Sequence, residues 1–241
     1  MARSGKPILI NFQPLTDLEH LDEVVTLQRT IWGYSDLDLE SRALMVIASH
    51  FVGQLLGAFD EGRLIGVALA FFTAAGSELR LHSHRVGVLP EYQNQGIGRM
   101  LKLAQREDAL GRGIDVIQWT FDPLQRRNAY FNIEKLGGIG RRYFPNLYGI
   151  TSSPLHGGLP TDRLLIEWDL ESPRVLQILG GKKPAHQVEA IRIAIPDLSQ
   201  RKDPALQIEL RYQLVEKLRS GYAVTGVEKS QDHAFYLLEK A

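Results

Sequence analysis

Apolar residues recur along the chain at two spacings, and the order of those spacings predicts a mixed architecture. Leu18, Leu21, Val24, Leu27 and Ile31 fall near helical spacing, which predicts an amphipathic helix from Leu18 to Trp32, with a second from Ser41 to Ala48. Two runs of aliphatic and aromatic residues follow, Val52 to Ala58 and Leu64 to Phe72, joined by Asp60-Glu61-Gly62. That pattern predicts an antiparallel hairpin. A third strand is expected from Glu78 to Val88, then a glycine turn, then a helix from about Gly96 to Leu110 ended by Gly111 and Gly113. Asp115 to Phe121 reads as a buried strand, Leu124 to Leu136 as a helix stopped by Gly137-Gly138, and Arg163 to Leu170 as a further strand.

Hairpin, strand, helix, strand, helix, strand is an α/β order, with helices covering a central sheet. Proline and glycine thicken around residues 173 to 184, which reads as a linker. Beyond it, a strand from Val188 to Ile195, a helix from Ala205 to Ser220, and strands Tyr222 to Val227 and Phe235 to Leu238 predict a C-terminal β-α-β-β extension. A unit of about 55 residues is small for independent stability, so it is expected to pack on the main domain or on a dimer partner. The expected domains are therefore 1–170 and 171–241, with a homodimer as one arrangement.

Composition narrows the classes. The 241 residues are 44% hydrophobic, enough for a sizeable core. With no cysteine, disulfides, thiolate metal sites and a cysteine nucleophile are excluded, which is compatible with the cytoplasmic location expected here. The longest apolar run, VALAFFTAA, is about half of what spans a bilayer, so no membrane partner is expected. Twenty-eight basic and 28 acidic side chains sum to zero. No global field draws the chain to nucleic acid, and none is expected as a partner.

The chemistry begins at VLPEYQNQGIGRMLKLAQ, residues 88 to 105. A strand, a turn and a helix whose first N–H groups are unpaired make an anion site, and Gly96 and Gly98 remove Cβ atoms that would hold a pyrophosphate off the backbone. Neither GxGxxG nor GxxxxGK followed by Ser or Thr is present. A tight turn with packing glycines is the other reading of the glycines alone.

The wider pattern, Val88-x-Pro90-x-Tyr92-Gln93-x-x-Gly96-Ile97-Gly98-x-x-Leu101, resembles the acyl-CoA-binding segment of the GNAT superfamily of N-acetyltransferases. The resemblance extends from about residue 10 to 170. It implies a mixed, mostly antiparallel central sheet flanked by helices. It also implies that the backbone of Gln93, Asn94, Gln95, Gly96, Ile97 and Gly98 wraps the pyrophosphate of coenzyme A, with Arg99 adding a charge. Val86, Gly87 and Val88 of the preceding strand would bond the pantetheine arm. LHSHRVGVLPEYQNQGIG, QWTFDPLQRRNAYFNIEKLGGIGRRYFPNLYG and PTDRLLIEW together resemble a bacterial branch of the superfamily labelled only as predicted acyltransferases. At least one member of that branch is thought to pass succinyl from succinyl-CoA to amino acids. The implied donor is acetyl-CoA or succinyl-CoA, and the implied acceptor is a small-molecule amine or amino acid.

Transfer of an acyl group to an amine needs a proton acceptor for the nitrogen and a proton for the departing thiolate. His82 and His84 alternate with Ser83 and are expected on one strand face together with Val86 and Val88. Imidazoles suit proton transfer near neutrality, so the pair is the expected base or water relay; two half-buried structural histidines are the alternative. Zinc is not expected, because the pair lacks a third ligand. The later helix resembles the family pattern Ala-x-x-x-Tyr-x-Lys-Leu-Gly at Ala129, Lys135, Leu136 and Gly137, but Ile133 stands at the tyrosine. Tyr130 is the substitute acid. Asn128 and Asn132, spaced i, i+4, are expected to hold the pantetheine or thiol end, or else to form a buried network. Asp122 reads as a helix cap, and Arg126 and Arg127 as contacts to phosphate or to an acyl carboxylate. RRYFPNLYG, residues 141 to 149, reads as an aromatic, basic loop. With Tyr148 and Arg163 it is assigned to the acceptor, unless Asp162 and Arg163 simply pair with each other. Trp32 and Tyr34 would line the same pocket or close the core. A non-catalytic acyl-CoA-binding or sensor protein is the rival reading, favoured by Ile133 and by any packing of side chains over His82 and His84.

Overall fold

The computed structural model describes residues 9–154, 157–184, 186, 189–197, 203–230 and 233–240. The chain divides into two compact units, Met1–Ile114 and Asp115–Ala241. The boundary expected near residue 170 lies inside the second unit. Both units are mixed α/β, and every strand pairing described within them is antiparallel.

In the first unit β1 (Ile10–Pro14), β2 (Gly53–Asp60), β3 (Arg63–Ala75) and β4 (Glu78–Val88) lie in the order β1-β2-β3-β4. Strand β1 was not expected from the sequence. The β2–β3 hairpin turns through Glu61 and Gly62, both at positive φ (48° and 84°), the backbone that a two-residue hairpin needs. Helix α1 (Leu18–Trp32) starts at Asp17, whose carboxylate accepts from the His20 N–H, and stops at left-handed Gly33. It covers one face of the sheet: a Cβ added at Gly87 would lie 2.6 Å from the Trp32 ring. Helix α3 (Ile97–Gly111) covers the other, where a Cβ at Gly66 would lie 3.3 Å from Leu101. Helix α2 (Arg42–Ile47) runs into a π-helical turn, Ala48–Val52, so Val52 is not yet strand. Leu15, Leu21, Met45, Ile65 and Leu101 are fully buried between these layers, each contributing on the order of 2 kcal/mol.

Strand β4 carries a bulge. Arg85 pairs with Leu69 and Ser83 with Ala70, so His84 is the extra residue. The expectation that His82, His84, Val86 and Val88 share one face is therefore corrected. Past the extra residue the alternation is shifted, and Val86 and Val88 stand opposite the two histidines.

In the second unit β5 (Val116–Phe121), β6 (Ile139–Phe144), β7 (Arg163–Asp169), β8 (Ile191–Ala194), β9 (Tyr222–Lys229) and β10 (Ala234–Lys240) follow the order β5-β7-β6-β9-β10-β8. The β8-α6-β9-β10 extension, in which α6 is Pro204–Arg219, joins this sheet where Val224 of β9 pairs with Gly140 of β6. Val188, the first residue of one expected strand, lies outside the described residues. Helix α4 (Arg126–Tyr130) continues as a π-helical turn, Phe131–Lys135. Two expectations are corrected here. The stretch read as a linker forms α5 (Pro173–Leu179): Ser172 caps it, Pro173 occupies its first turn, where a missing N–H costs nothing, and Val175 and Ile178 pack on Gly137. Arg141 to Phe144, read as the start of a loop, belong to β6.

Helix α6 (Pro204–Arg219) is tied to the segment between β6 and β7 through Asp162, whose side chain is fully buried. Its carboxylate accepts from Arg211 at 2.7 and 2.9 Å, from the Tyr143 hydroxyl at 2.6 Å and from the Asn146 N–H at 2.9 Å. Burial, then Asp162, pushes the Tyr143 phenol well above its usual range, so it stays a donor. Removing Arg211 strands a buried charge. Arg211→Met is expected to cost about 3 kcal/mol, read as a lower urea midpoint at unchanged slope; a loss under about 0.5 kcal/mol would show the pair to be peripheral.

Candidate functional site

The end of β4 leads through a 3₁₀ turn, Pro90–Tyr92, into a tight bend before α3. Tyr92 fixes the turn by donating to Asp60 at 2.7 Å, and the Gln93 amide donates back to the Val88 carbonyl at 3.1 Å. Asn94 (φ 64°) and Gly96 (φ 82°) are left-handed. The Gln93 N–H bonds Pro90, and the next amides with a partner are Arg99 and Met100, both bonded to Gly96. Among the described residues, the N–H groups of Asn94, Gln95, Gly96, Ile97 and Gly98 therefore have no protein acceptor. Successive left-handed and helical residues turn such amides into one concavity, at the positive end of a 15-residue helix. A Cβ at Gly96 or Gly98 would meet nothing within 4 Å. Arg99, on the first turn, has no ion-pair partner among the described residues. The donor set fits a pyrophosphate.

At the bulge of the same strand lies a charged cluster that the sequence did not disclose. Glu40, between α1 and α2, is 8% exposed. Its Oε1 accepts from His84 Nε2 at 3.0 Å and from Arg85 Nε at 2.6 Å. Arg85 also donates to the Tyr34 hydroxyl at 2.6 Å and lies over the rings of Trp32 and Tyr34, which stack on each other. Trp32, expected as a substrate contact, is thus joined to His84 through Arg85 and Glu40. Burial alone would raise the Glu40 carboxyl, yet hydrogen bonds from His84 and Arg85 hold it below its usual range. The His82 ring lies 6.3 Å from that of His84, and its pKa is pushed down to about 4, by burial first, then by His84 and Lys102.

The opposite face of β4 is closed by a second network. Lys102 of α3, 4% exposed, donates to the Ser83 hydroxyl at 2.7 Å, and Ser83 donates to Gln105 Oε1 at 2.8 Å. Burial drives the Lys102 amine well below its usual pKa. The only sequence signal for it is the polar pair Lys102 and Gln105 on an otherwise apolar helix face.

The remaining candidates lie in the second unit. Tyr130 has Lys135 and Lys229 at 5.5 and 5.9 Å from its ring. Asn128 is exposed and Asn132 buried, so the two do not form the buried network that was the alternative for them. Ile133 is fully buried core. Asp122 caps a turn rather than a helix, accepting from the Leu124 N–H, while Arg126 donates to the Ile195 carbonyl and Asp197, a structural tie in place of the expected phosphate contact. Arg163 is 9% exposed, donates to the Asp162 carbonyl and lies 5.5 Å from the Tyr148 ring. Asp162 pairs with Arg211, not with Arg163.

Residues 21–137 match the model of the Acetyltransferase (GNAT) family. Among solved structures the chain is similar to Arabidopsis thaliana NAA60 in complex with acetyl-CoA (TM-score 0.57, 14% identity, covering 68% of this chain and 100% of that one). It is also similar to the ribosomal-protein-S18-alanine N-acetyltransferase from Escherichia coli (TM-score 0.53, 16% identity, 68% and 96% covered). A third is a GNAT family acetyltransferase from Elizabethkingia anophelis with acetyl-CoA bound (TM-score 0.50, 19% identity, 66% and 97% covered). At these identities the likeness is one of fold. Comparison with curated proteins gives no match.

The depressed His82 pKa makes stability pH-dependent with a definite sign. The unfolded chain takes up the His82 proton near pH 6.5 and the folded chain only near pH 4, so this contribution is complete above pH 6.5 and is lost as pH falls through that window. The linkage amounts to roughly 3 kcal/mol. His82→Asn is expected to flatten the fall in unfolding free energy between those pH values relative to the parent; parallel curves would show His82 to be solvated.

Proposed function

We propose, from the premise that residues 21–137 place this chain in the GNAT superfamily, that it transfers an acetyl or succinyl group from acyl-CoA to the amino group of a small substrate. The observation that carries the reading is the row of unpartnered amides from Asn94 to Gly98, with Asn94 and Gly96 left-handed. Backbone donors at a helix N-terminus, free of side-chain bulk, suit the pyrophosphate of coenzyme A, and Arg99 adds charge. Acyl-CoA supplies the activated thioester carbonyl. The chain contributes position and proton handling: the turn binds the pyrophosphate, the backbone of Val86, Gly87 and Val88 receives the pantetheine arm, and His84 takes the amine proton.

For the acceptor, an amino acid is the reading best supported by the second unit, where Tyr148 and Arg163 lie together; a guanidinium meets a carboxylate in two-pronged fashion. The succinyl option rests on the branch resemblance. One observation favours a non-catalytic acyl-CoA-binding role instead: Ile133, at the family's tyrosine position, is fully buried and supplies no proton to a thiolate. Against it, His84 keeps 23% of its side chain exposed.

Calorimetry with acetyl-CoA and succinyl-CoA, followed by thiol release with a panel of amino acids and primary amines, tests this. Micromolar binding with acceptor-dependent release is expected; binding without release would favour the sensor reading, and no binding would remove both. Because the space beside Gly98 is open, Gly98→Val is expected to change stability by less than about 1 kcal/mol yet weaken coenzyme binding by about tenfold or more.

A further inference from the structure

We propose that Glu40 is a positioning residue for proton transfer, holding His84 in the tautomer whose Nδ1 is free to receive the amine proton. The inference rests on the acyltransferase reading above and adds to it a residue from outside the strand and the glycine turn.

Glu40 is held before it meets the histidine. The Gln28 side chain of α1, 1% exposed, donates to the Glu40 carbonyl at 3.0 Å and accepts from the Glu40 N–H at 2.9 Å. This reciprocal clamp fixes the backbone and aims the carboxylate at the bulge of β4. An ionised carboxylate only accepts, so the His84 nitrogen at 3.0 Å must carry the hydrogen. A neutral imidazole has one N–H, which leaves a lone pair on Nδ1. Among the described residues Nδ1 has no hydrogen-bond partner, and the ring is partly open to solvent. The second oxygen, Oε2, is buried and without a partner. A carboxylate serving only as a structural tie to Arg85 would not need the histidine.

The surrounding groups fit this role. Arg85, on the same strand, balances the Glu40 charge and is immobilised by Tyr34 and Trp32. His82 and the Phe71 ring flank His84 at 6.3 and 5.7 Å, and Lys102 with Ser83 lies on the other face of β4. As the amine nitrogen bonds to the acyl carbon, its proton passes to Nδ1, and Glu40 stabilises the imidazolium. The carbon–sulfur bond breaks with its electron pair on sulfur, and the imidazolium gives up the proton it took from the amine to that thiolate, directly or through water. Amine and thioester thus become amide and thiol, His84 returns to its neutral form and there is no net proton change.

Two measurements on the full chain decide it. Nitrogen-15 spectra of the imidazoles, assigned with His82→Asn and His84→Gln, are expected to show His84 protonated at Nε2 and not at Nδ1; the reverse tautomer overturns the proposal. With acetyl-CoA and whichever panel amine gives the fastest thiol release, Glu40→Gln is expected to lower kcat at least about 30-fold with acetyl-CoA affinity within about twofold. The double variant with His84→Gln should be no slower than His84→Gln alone, the signature of residues acting as a unit. Multiplying effects, or a Glu40→Gln rate within about threefold of the parent, overturn the inference while leaving acyl transfer intact. If Glu40→Gln does not fold, Glu40→Asp replaces it and must keep the Nε2–H tautomer. A parent that binds acetyl-CoA but releases no thiol overturns the acyltransferase reading, and the inference with it.

Discussion

One extra residue in β4 sets the geometry of the candidate site. Because Ser83 pairs with Ala70 and Arg85 with Leu69, the strand delivers His84 and Arg85 as consecutive side chains to one carboxylate, which regular alternation forbids. The same shift sends Ser83 to the α3 face, where Lys102 and Gln105 bind its hydroxyl. The bulge is thus held from both sides, by the Glu40 ion cluster on one face and by the buried Lys102–Ser83–Gln105 network on the other. Neither network alone accounts for a lysine kept out of water, at the cost that burial imposes on its charge.

Downstream, the strand ends in a turn with the opposite property. Four of its side chains hold its shape: Tyr92 donates to Asp60, Gln93 to the Val88 carbonyl and Gln95 to the Glu91 carbonyl, while Glu91 accepts from Arg63 of β3. Its backbone amides are left over. Rigidity supplied by side chains and donors supplied by backbone is what a pre-formed anion site requires, since a ligand then finds its contacts without ordering the loop. One strand therefore carries a charged cluster at its bulge and a row of unpartnered backbone amides at its end.

Which of these features the sequence disclosed follows from how local their causes are. The β2–β3 hairpin, the turn at Gln93 to Gly98 and the helix after it depend on neighbouring residues, and all were legible. So was α5 in principle, since Ser172-Pro173 is a cap followed by a first-turn proline, but the glycines after it masked the signal. The bulge was not legible. It is a property of register between β3 and β4, and the spacing of His82 and His84 suggests the wrong partners on their face. Glu40 was hidden for a related reason: it lies outside regular structure, and its position is set by Gln28, twelve residues earlier. The pairing of Asp162 with Arg211 rather than with Arg163 next to it spans 49 residues.

The extension beyond the family-matched residues has a physical consequence inside the second unit. Helix α6 holds the segment between β6 and β7 at two points, Gln207 on the Pro160 carbonyl and Arg211 on Asp162. That segment then closes on itself, with Leu147 bonded to Thr161 and Thr161 to Gly149. Tyr148 and Arg163 sit on this braced stretch, and Arg163 is turned onto the Tyr148 ring with little of its surface left exposed. The structural neighbours are almost fully covered by about two thirds of this chain, so most of the remainder is additional material. In the second unit it works as a brace, exchanging the freedom of a surface loop for a fixed arrangement of one aromatic ring and one guanidinium. The entropy of closing that stretch is therefore met on folding, by contacts of the chain with itself, and the ring and the guanidinium are held in a fixed relation.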